Sequence, residues 1–311
     1  TNCTLEQANF TRAKLWGATF VSCTMDKTDF SHANAEKLTM IECRANESVF
    51  AHTYLETARF MSCSLAGSAI ESAHIEMASF TMVDMCRIKM HKMQIKLTSM
   101  FECKLEEIDW QDLAFEQCVF SKLQLPNFDW SSISFTKGQI MESDLSGGKF
   151  TLQNMSMVGF QESNLTGANF DQANISSCCF DKANLTGAIL TKAHAKMAIL
   201  IGANLDGADL SGASLESAQA AGAICTNAKL LNVDLTRTDL SYANLSHSDL
   251  SGATIFQTSL HGIIEEKTKW PKSGRLGAMP KDKEQLKSDK AREKILAARE
   301  QAIKQQQQPK E

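Results

Sequence analysis

An apolar residue occupies every fifth position of the chain from Leu5 to Leu260. These 52 positions hold 20 Leu, 13 Phe, 6 Met, 6 Ile, 4 Ala, 2 Trp and 1 Cys, and we call each of them a centre residue. A helix repeats its buried face about every 3.6 residues and a strand about every two, so neither predicts a period of five. A short repeat held over such a length predicts a solenoid, in which successive copies stack on one another.

The position two residues before each centre is usually small. Of these 52 positions, 21 are Ala and 7 are Cys. Clear copies of the pattern read Ala-Asn followed by Phe or Leu, at residues 8–10, 168–170, 183–185 and 243–245. The pattern resembles the pentapeptide-repeat family over about five-sixths of the 311 residues. This resemblance implies an all-β fold, a right-handed quadrilateral parallel β-helix with four pentapeptides per coil, whose centre and small residues point inward.

Three further patterns have a period of ten or twenty. Eleven of the 13 Phe centres lie at multiples of ten, and Phe115 and Phe135 are the exceptions. Five cysteines fall in one predicted column, namely Cys3, Cys23, Cys43, Cys63 and Cys103. Four pairs of opposite charges lie twenty residues apart, namely Arg87 with Glu107, Lys89 with Asp109, Lys92 with Asp112 and Lys96 with Glu116. A coil of twenty residues explains all three, and residues 1–260 then predict about 13 coils and a rod roughly 60 Å long.

Between residues 81 and 140 the small position is often filled by a large side chain. Two large inward side chains exceed the space of Ala plus Leu, so we expect distorted or swollen coils there. Residues 160–255 should be the most regular part of the rod. One interpretation of the crowding is sequence variation at the inward positions that the fold tolerates. The other is a site that presents apolar surface to a partner. The candidate interaction region comprises Met85, Met90, Met93, Trp110, Phe128 and Trp130.

Acidic side chains raise a second functional hypothesis. Some pentapeptide-repeat proteins are DNA mimics, which bind and inhibit type II topoisomerases with an acidic rod. The acidic residues between 102 and 116 mostly face basic residues one coil away, which predicts a largely neutralised cluster. The candidate acidic surface is instead a column without such partners, Glu36, Glu56 and Glu76. Nucleic acid itself is not an expected partner, because the formal net charge is only −4.

The chain shows no motif that carries catalytic chemistry. No phosphate loop, nucleophile elbow or zinc-ligand spacing occurs, and no apolar run reaches the length of a membrane span. The ten cysteines mostly fill small inward positions, which favours reduced thiols in a cytosolic protein; a strained disulfide between adjacent coils is the alternative. We therefore predict a non-enzymatic protein–protein interaction scaffold. Its partner is another protein, and it has no cofactor and no small-molecule substrate.

Both ends of the repeat carry expectations. The chain is already in register at Cys3, so we expect further sequence upstream. A narrower hypothesis places the repeat in a larger bacterial secretion adaptor or effector. Such a protein would be cytoplasmic or translocated by a dedicated system. After Leu260 we expect the register to stop, with residues 261–271 as a cap in which Ile263, Ile264 and Trp270 cover the last coil. Residues 272–281 are predicted to form a linker. The remaining residues, up to residue 311, are predicted to form a basic tail that is either helical or disordered. Residues 261–311 hold 13 Lys and Arg against 8 Asp and Glu.

Overall fold

The computed structural model describes residues 1–279. Short strands and isolated bridges make up nearly all of its secondary structure. The strands are β1 (Thr19–Val21), β2 (Thr39–Ile41), β3 (Arg59–Met61), β4 (Ile75–Glu76), β5 (Ser79–Thr81), β6 (Gln94–Lys96), β7 (Ser99–Phe101), β8 (Leu113–Glu116), β9 (Val119–Ser121), β10 (Ile133–Thr136) and β11 (Gln139–Met141). One 3-10 turn spans Trp130–Ser132.

All strand pairing is parallel with an offset of twenty residues. Seven strands form one sheet in the order β1-β2-β3-β5-β7-β9-β11, and four form a second in the order β10-β8-β6-β4. Isolated bridges with the same offset build two further ladders, starting at Thr4 and Asn9, and extend the pairing as far as Lys269. Four ladders per twenty residues confirm the predicted four-sided parallel β-helix. The strands alone define only six turns, and the larger predicted count of coils is reached only if the isolated bridges are included.

The corners of the coil depend on a left-handed backbone conformation. The residue two after every centre except Trp130 has positive φ, as at Gln7 (φ 58°) and Lys27 (φ 58°), and 40 of these corner residues are not glycine. This conformation costs about 1–2 kcal/mol for an L-residue. It is offset because the corner N–H donates to the next coil, as Gln7 N does to the Asp26 carbonyl at 2.9 Å. Where an Asn or Asp precedes a centre, its side chain can also accept from the turn, as Asp29 Oδ1 does from Ser31 N at 2.8 Å.

Centre residues stack in columns through the core. Phe10, Phe30 and Phe50 are stacked with ring centroids 5.3 and 4.7 Å apart, and Phe60 stacks on Phe80 at 5.0 Å. Each aromatic pair contributes about 0.5–1.5 kcal/mol beyond its buried area. The Phe centres at multiples of ten thus stack in columns, as a coil of twenty residues requires.

The small inward positions form columns of their own. All ten cysteines are free thiols, so the disulfide alternative is not realised. Cys63 Sγ contacts Cys43 N at 3.4 Å and the Met40 carbonyl at 3.3 Å, and burial raises the pKa of Cys103 and Cys118 to about 11. The thiols of Cys103 and Cys118 therefore stay protonated and act as small core side chains.

The charge ladders differ from those that the sequence predicts. Of the four predicted pairs only Lys96 and Glu116 are in contact, at 3.5 Å, within the described chain. Asp109 instead approaches His91 at 3.6 Å, because the bridge that would align Lys89 with Asp109 is absent. Other pairs twenty residues apart do form, at Lys27–Glu47, Glu102–Lys122, Glu162–Lys182, Lys196–Glu216, Asp209–Lys229 and Asp249–Lys269.

The repeat continues past its expected limit at Leu260. Bridges to Ile264 and Lys269 keep the register, and Ile264 points outward with 56% of its surface exposed. The chain then turns back over the end of the rod within residues 271–279, where Met279 N donates to the Thr258 carbonyl at 2.9 Å. Ile263 and Trp270 are partly buried against the core, so a cap at residues 261–271 stays a prediction, although these residues also keep the spacing of the repeat. The tail expected to be helical or disordered lies outside the described residues.

Candidate interaction surfaces

The seven-stranded sheet presents a flat face that carries almost no charge. In each strand the middle residue is inward and the two flanking residues point outward. We call these fourteen outward residues the seven-stranded face. They are Thr19, Val21, Thr39, Ile41, Arg59, Met61, Ser79, Thr81, Ser99, Phe101, Val119, Ser121, Gln139 and Met141, of which only Arg59 is charged.

The opposite side of the same coils is different. Its fourteen equivalent positions, from residues 29 and 31 to residues 149 and 151, include six charged residues, Asp29, Glu71, Lys89, Asp109, Asp129 and Lys149. Both sides have the same inward requirement, so the core does not account for the difference between them. Charge depletion together with Met and Phe is typical of the buried centre of a protein interface.

Charged side chains lie at the margins of the seven-stranded face. Lys122 Nζ lies 5.0 Å from the centre of the Phe101 ring and pairs with Glu102 at 3.4 Å. At the other margin, a cleft of about 300 Å³ is lined by Lys37, Thr39, Thr57 and Arg59. Neither Lys37 nor Arg59 forms an ion pair with any residue from 1 to 279. This cleft can accept a carboxylate.

A second surface lies where the ladder is interrupted. Segments 105–112 and 124–132 are one coil apart, and we call the opening between them the seam. Bridges are missing between residues 104 and 124 and between residues 109 and 129, and Asp109 also lacks its bridge to Lys89 in the preceding coil. The ladders resume in the following coil, as at Asp129 with Lys149. At the far end Asp112 N still donates to the Ser132 carbonyl, at 3.2 Å. The predicted distortion is therefore present, but it is confined to two of the four faces.

Oversized inward residues explain the seam. Ile108 and Phe128 occupy successive small positions of one column, and both are only partly buried. The Phe128 ring packs edge-on against Trp110 at 5.1 Å and Trp130 at 5.0 Å. Within residues 1–267, Ser132 is the one corner that lacks a positive φ, because the chain takes a 3-10 turn there. Overpacking has been relieved by separating two coils on one side.

The seam forms a groove of about 710 Å³. Its lining combines the aromatic residues with carboxylates and small polar groups, and comprises Asp109, Trp110, Gln111, Asp112, Pro126, Asn127, Phe128, Asp129, Ser131 and Ser132. A hydrogen bond from Ser131 lowers the pKa of Asp129, which keeps that carboxylate ionised near neutral pH. The groove is therefore acidic with an aromatic component.

The structure separates the six predicted interaction residues into two groups. Met85, Met90, Met93 and Trp130 are 0–4% exposed and belong to the core. Trp110, 7% exposed, and the half-buried Phe128 line the groove. The reason is geometric: centre residues and most small-position residues point inward, and only Phe128 is too large to be fully enclosed.

The acidic column lies on the side of the coil that begins at residues 14, 34 and 54. Glu56 and Glu76 are exposed and Glu36 is half-buried, and none of the three takes part in an ion pair in the described part of the chain. Glu36 shares a cavity of about 420 Å³ with Arg12, Lys14 and His32, among others. Basic groups are thus interspersed with this column.

The charge-poor face was not recognised from the sequence, although a signal for it exists. Positions one before and one after every fourth centre, from residues 19 and 21 onward, are uncharged in nearly every coil up to residue 141. Reading the outward columns separately, rather than the inward ones, reveals it. In the part of the chain that is described, no group of three or more His, Cys, Asp or Glu side chains is placed to hold a metal ion. The same residues contain no helix long and apolar enough to cross a bilayer.

Family models match the regular parts of the rod. A model described as pentapeptide repeat region matches residues 17–85, and one described as pentapeptide repeats matches four overlapping segments between residues 158 and 255, together more than half of the chain. The chain belongs to the pentapeptide-repeat family. Residues 86–157 of this pentapeptide-repeat chain, which include the seam, are matched by neither model. Comparison with curated proteins gives no match.

Several solved structures of pentapeptide-repeat proteins resemble the chain. Rfr23 from the cyanobacterium Cyanothece 51142 is 24% identical over 50% of this chain and 88% of its own, with a TM-score of 0.28. HetL from Nostoc sp. strain PCC 7120, a protein involved in regulation of heterocyst differentiation, is 20% identical over 88% and 94%, with a TM-score of 0.18. Full-length QnrB1, a plasmid-mediated fluoroquinolone resistance protein, is 17% identical over 85% and 92%, with a TM-score of 0.20. Identities and scores this low do not assign a function.

Proposed function

We propose that this chain is a non-enzymatic protein–protein interaction scaffold whose principal docking surface is the seven-stranded face. The observation that carries the proposal is the contrast between one charge among fourteen outward residues on this face and six on the opposite side. A solvated face without a partner has no reason to avoid charge over seven consecutive coils. An interface does, because desolvating an unpaired charge is costly.

The size of the face sets the kind of partner. Seven strands at about 4.8 Å spacing and three residues wide present an area of roughly 300 Å². A stable complex usually buries about 800 Å² on each side. The partner therefore extends over the corners or binds transiently, and the Lys37–Arg59 cleft at the margin offers a place for one of its acidic side chains.

Cross-linking with a matched pair of variants tests this proposal. A photo-reactive amino acid at Ser99, on the face, is combined with Met61→Lys on the same face or with Leu152→Lys on a distant corner; both native side chains are exposed, 49% and 68%. Protein cross-links in cells of the native host should be lost with Met61→Lys and kept with Leu152→Lys. Equal yields of the same cross-linked protein with both variants would contradict docking on this face.

A second candidate is the DNA mimic that inhibits a type II topoisomerase. It is favoured by one observation, that Glu36, Glu56 and Glu76 form no ion pair among the described residues. Arg12 and Lys14 beside this column, and the ion pairs that neutralise many other acids, argue against an extended acidic surface. A supercoiling assay with gyrase separates the candidates, because inhibition that is lost in the triple Glu→Gln variant would support the mimic.

The narrower proposal of a bacterial secretion adaptor or effector rests only on the length and degeneracy of the repeat. A cytoplasmic chain handed to a secretion apparatus should co-purify with a component of it. Isolation of the cross-linked partner described above, and its identification by mass spectrometry, therefore tests this narrower role as well.

A further inference from the structure

The seam leaves backbone groups without hydrogen-bond partners among residues 1–279. In a regular coil the centre N–H donates to the coil above, as Leu205 N does to the Ile224 carbonyl at 2.6 Å. The equivalent bonds from Leu105 and Trp110 are absent, and no backbone hydrogen bond joins residues 104–111 to residues 123–131. Unpaired N–H and C=O groups along an extended segment are the groups that a second extended chain binds by strand addition.

The side chains around these groups select for positive charge. Asp109, Asp112 and Asp129 line the groove; the His91 imidazole lies 3.6 Å from Asp109, and Lys149 acts electrostatically on Asp129. Trp110 and Phe128 supply aromatic surface in the same groove. A planar guanidinium satisfies both features, since it binds carboxylates through paired hydrogen bonds and stacks on aromatic rings.

The space fits a short segment rather than a domain. The groove of about 710 Å³ is closed at one end by the bond from Asp112 N to Ser132 O and at the other by the bond from Glu102 N to Ser121 O, at 3.0 Å. Continuous strands β7, β9 and β11 on the far side hold the two coils together. The seam is thus a fixed opening and does not require the rod to come apart.

We propose that the seam binds a short extended peptide segment of a partner protein through an arginine side chain. The proposal deepens the scaffold function on which it rests, by adding a second surface and naming the chemistry of its ligand. The arginine lies between the carboxylates of Asp109 and Asp112 and against Trp110, while the peptide backbone pairs with groups of Leu105 and Trp110 that have no bond to the next coil.

Two fluorescently labelled pentapeptides test the proposal on the full chain. One has the sequence Thr-Val-Arg-Val-Thr, and the other carries citrulline, the neutral analogue of arginine, in place of Arg. The arginine peptide should bind at least roughly ten-fold more tightly than the citrulline peptide, because charge-assisted hydrogen bonds are lost in the latter. Backbone amide signals should shift in residues 105–112 and 124–132.

Matched protein variants locate the site. Asp112→Asn removes an exposed carboxylate at the groove and should weaken binding of the arginine peptide roughly three- to ten-fold. Asp181→Asn makes the same change on a regular coil outside the groove and should leave the affinity unchanged.

Three outcomes would overturn the seam as an arginine site: equal affinity for both peptides, amide shifts confined to other coils, or no saturable binding up to roughly 1 mM. The seven-stranded face is tested separately by Met61→Lys. If the parent chain binds neither peptide but Met61→Lys abolishes the cross-link, the seam alone is rejected. If the arginine peptide binds at the seam but Met61→Lys leaves the cross-link unchanged, the face alone is rejected.

Discussion

The coils at the seam and the coils beyond residue 160 differ in the size of their inward side chains, most clearly in the column beside the opening. At the seam this column holds Ile108 and Phe128, and in the later coils it holds Ala168, Ala188 and Ala208, all fully buried. Around the alanines the ladder is unbroken, with Leu210 N donating to the Lys229 carbonyl at 2.8 Å. The comparison indicates that the volume of the inward side chains decides whether two coils close on that face.

The largest expected effect comes from placing the seam residue in a regular coil. Ala188→Phe puts the side chain of Phe128 into the same column where there is no opening. We expect the free energy of unfolding to fall by about 3 kcal/mol or more, because the coils around residue 188 cannot make room for the ring without breaking hydrogen bonds of the ladder. Denaturant unfolding measures it. An unchanged stability would mean that side-chain volume is not the cause of the seam.

The reverse change should cost less. Phe128→Ala removes a half-buried ring and lets segments 105–112 and 124–132 approach each other. We therefore expect the free energy of unfolding to fall by only about 1–2 kcal/mol, less than the roughly 3–5 kcal/mol typical of replacing a fully buried Phe with Ala. The amides of Leu105 and Trp110 should then exchange with solvent more slowly, which hydrogen exchange detects. Faster exchange at these amides would contradict closure of the seam. Phe170→Ala, within the regular stack, is the control and should show the full cost.

A smaller effect is expected at Trp130. Its indole stacks on Phe150 at 5.1 Å, but its buried Nε1 has no hydrogen-bond partner among residues 1–279. Trp130→Phe removes that unsatisfied donor, which costs about 1–3 kcal/mol when left buried, and loses some packing. The two effects oppose each other, so the unfolding free energy should stay within about 1 kcal/mol of the parent. A loss comparable to that of Phe170→Ala would show that the indole donor is satisfied in solution.

The smallest effect concerns pH. Hydrogen bonds from Thr191, Thr226 and Ser251 lower the pKa of Asp171, Asp206 and Asp249, all in the regular coils. A lowered pKa in the folded state stabilises the fold above the unfolded value of about 3.8, and this contribution is lost as the pH falls through the folded pKa. The melting temperature should therefore decrease slightly between about pH 5 and pH 2. The melting temperature of the Asp249→Asn variant should decrease less over this range. A decrease equal to that of the parent chain would contradict a stabilising role for the Asp249 carboxylate.

Much of the fold was predictable because each pentapeptide follows a local rule. Centre residues such as Phe170 and corner residues such as Lys27 have roles that depend only on their place in the repeat. The aromatic columns followed from the spacing alone. The charge ladders did not, since Asp109 and Asp112 lie on the segment that the seam displaces and so miss Lys89 and Lys92.

The candidate sites were predictable only in part. Crowding indicated the right coils, yet four of the six candidate residues proved to be core, because a large inward side chain does not become surface merely by being large. Trp110 and Phe128 reach the groove because the coils separate beside them. The seven-stranded face required knowledge of which outward columns share one side of the coil.

The sequence by itself determined the period, the inward columns and the place where volume exceeds the space of a coil. Only the tertiary structure decided how that excess is relieved: the faces through Leu105 and Trp110 open, while those through Phe115 and Phe120 form the continuous strands β8 and β9. The physical reason is that strain within a closed coil is shared among four sides. Which side yields depends on the stacking energy of all four with their neighbours, and no single repeat contains that information.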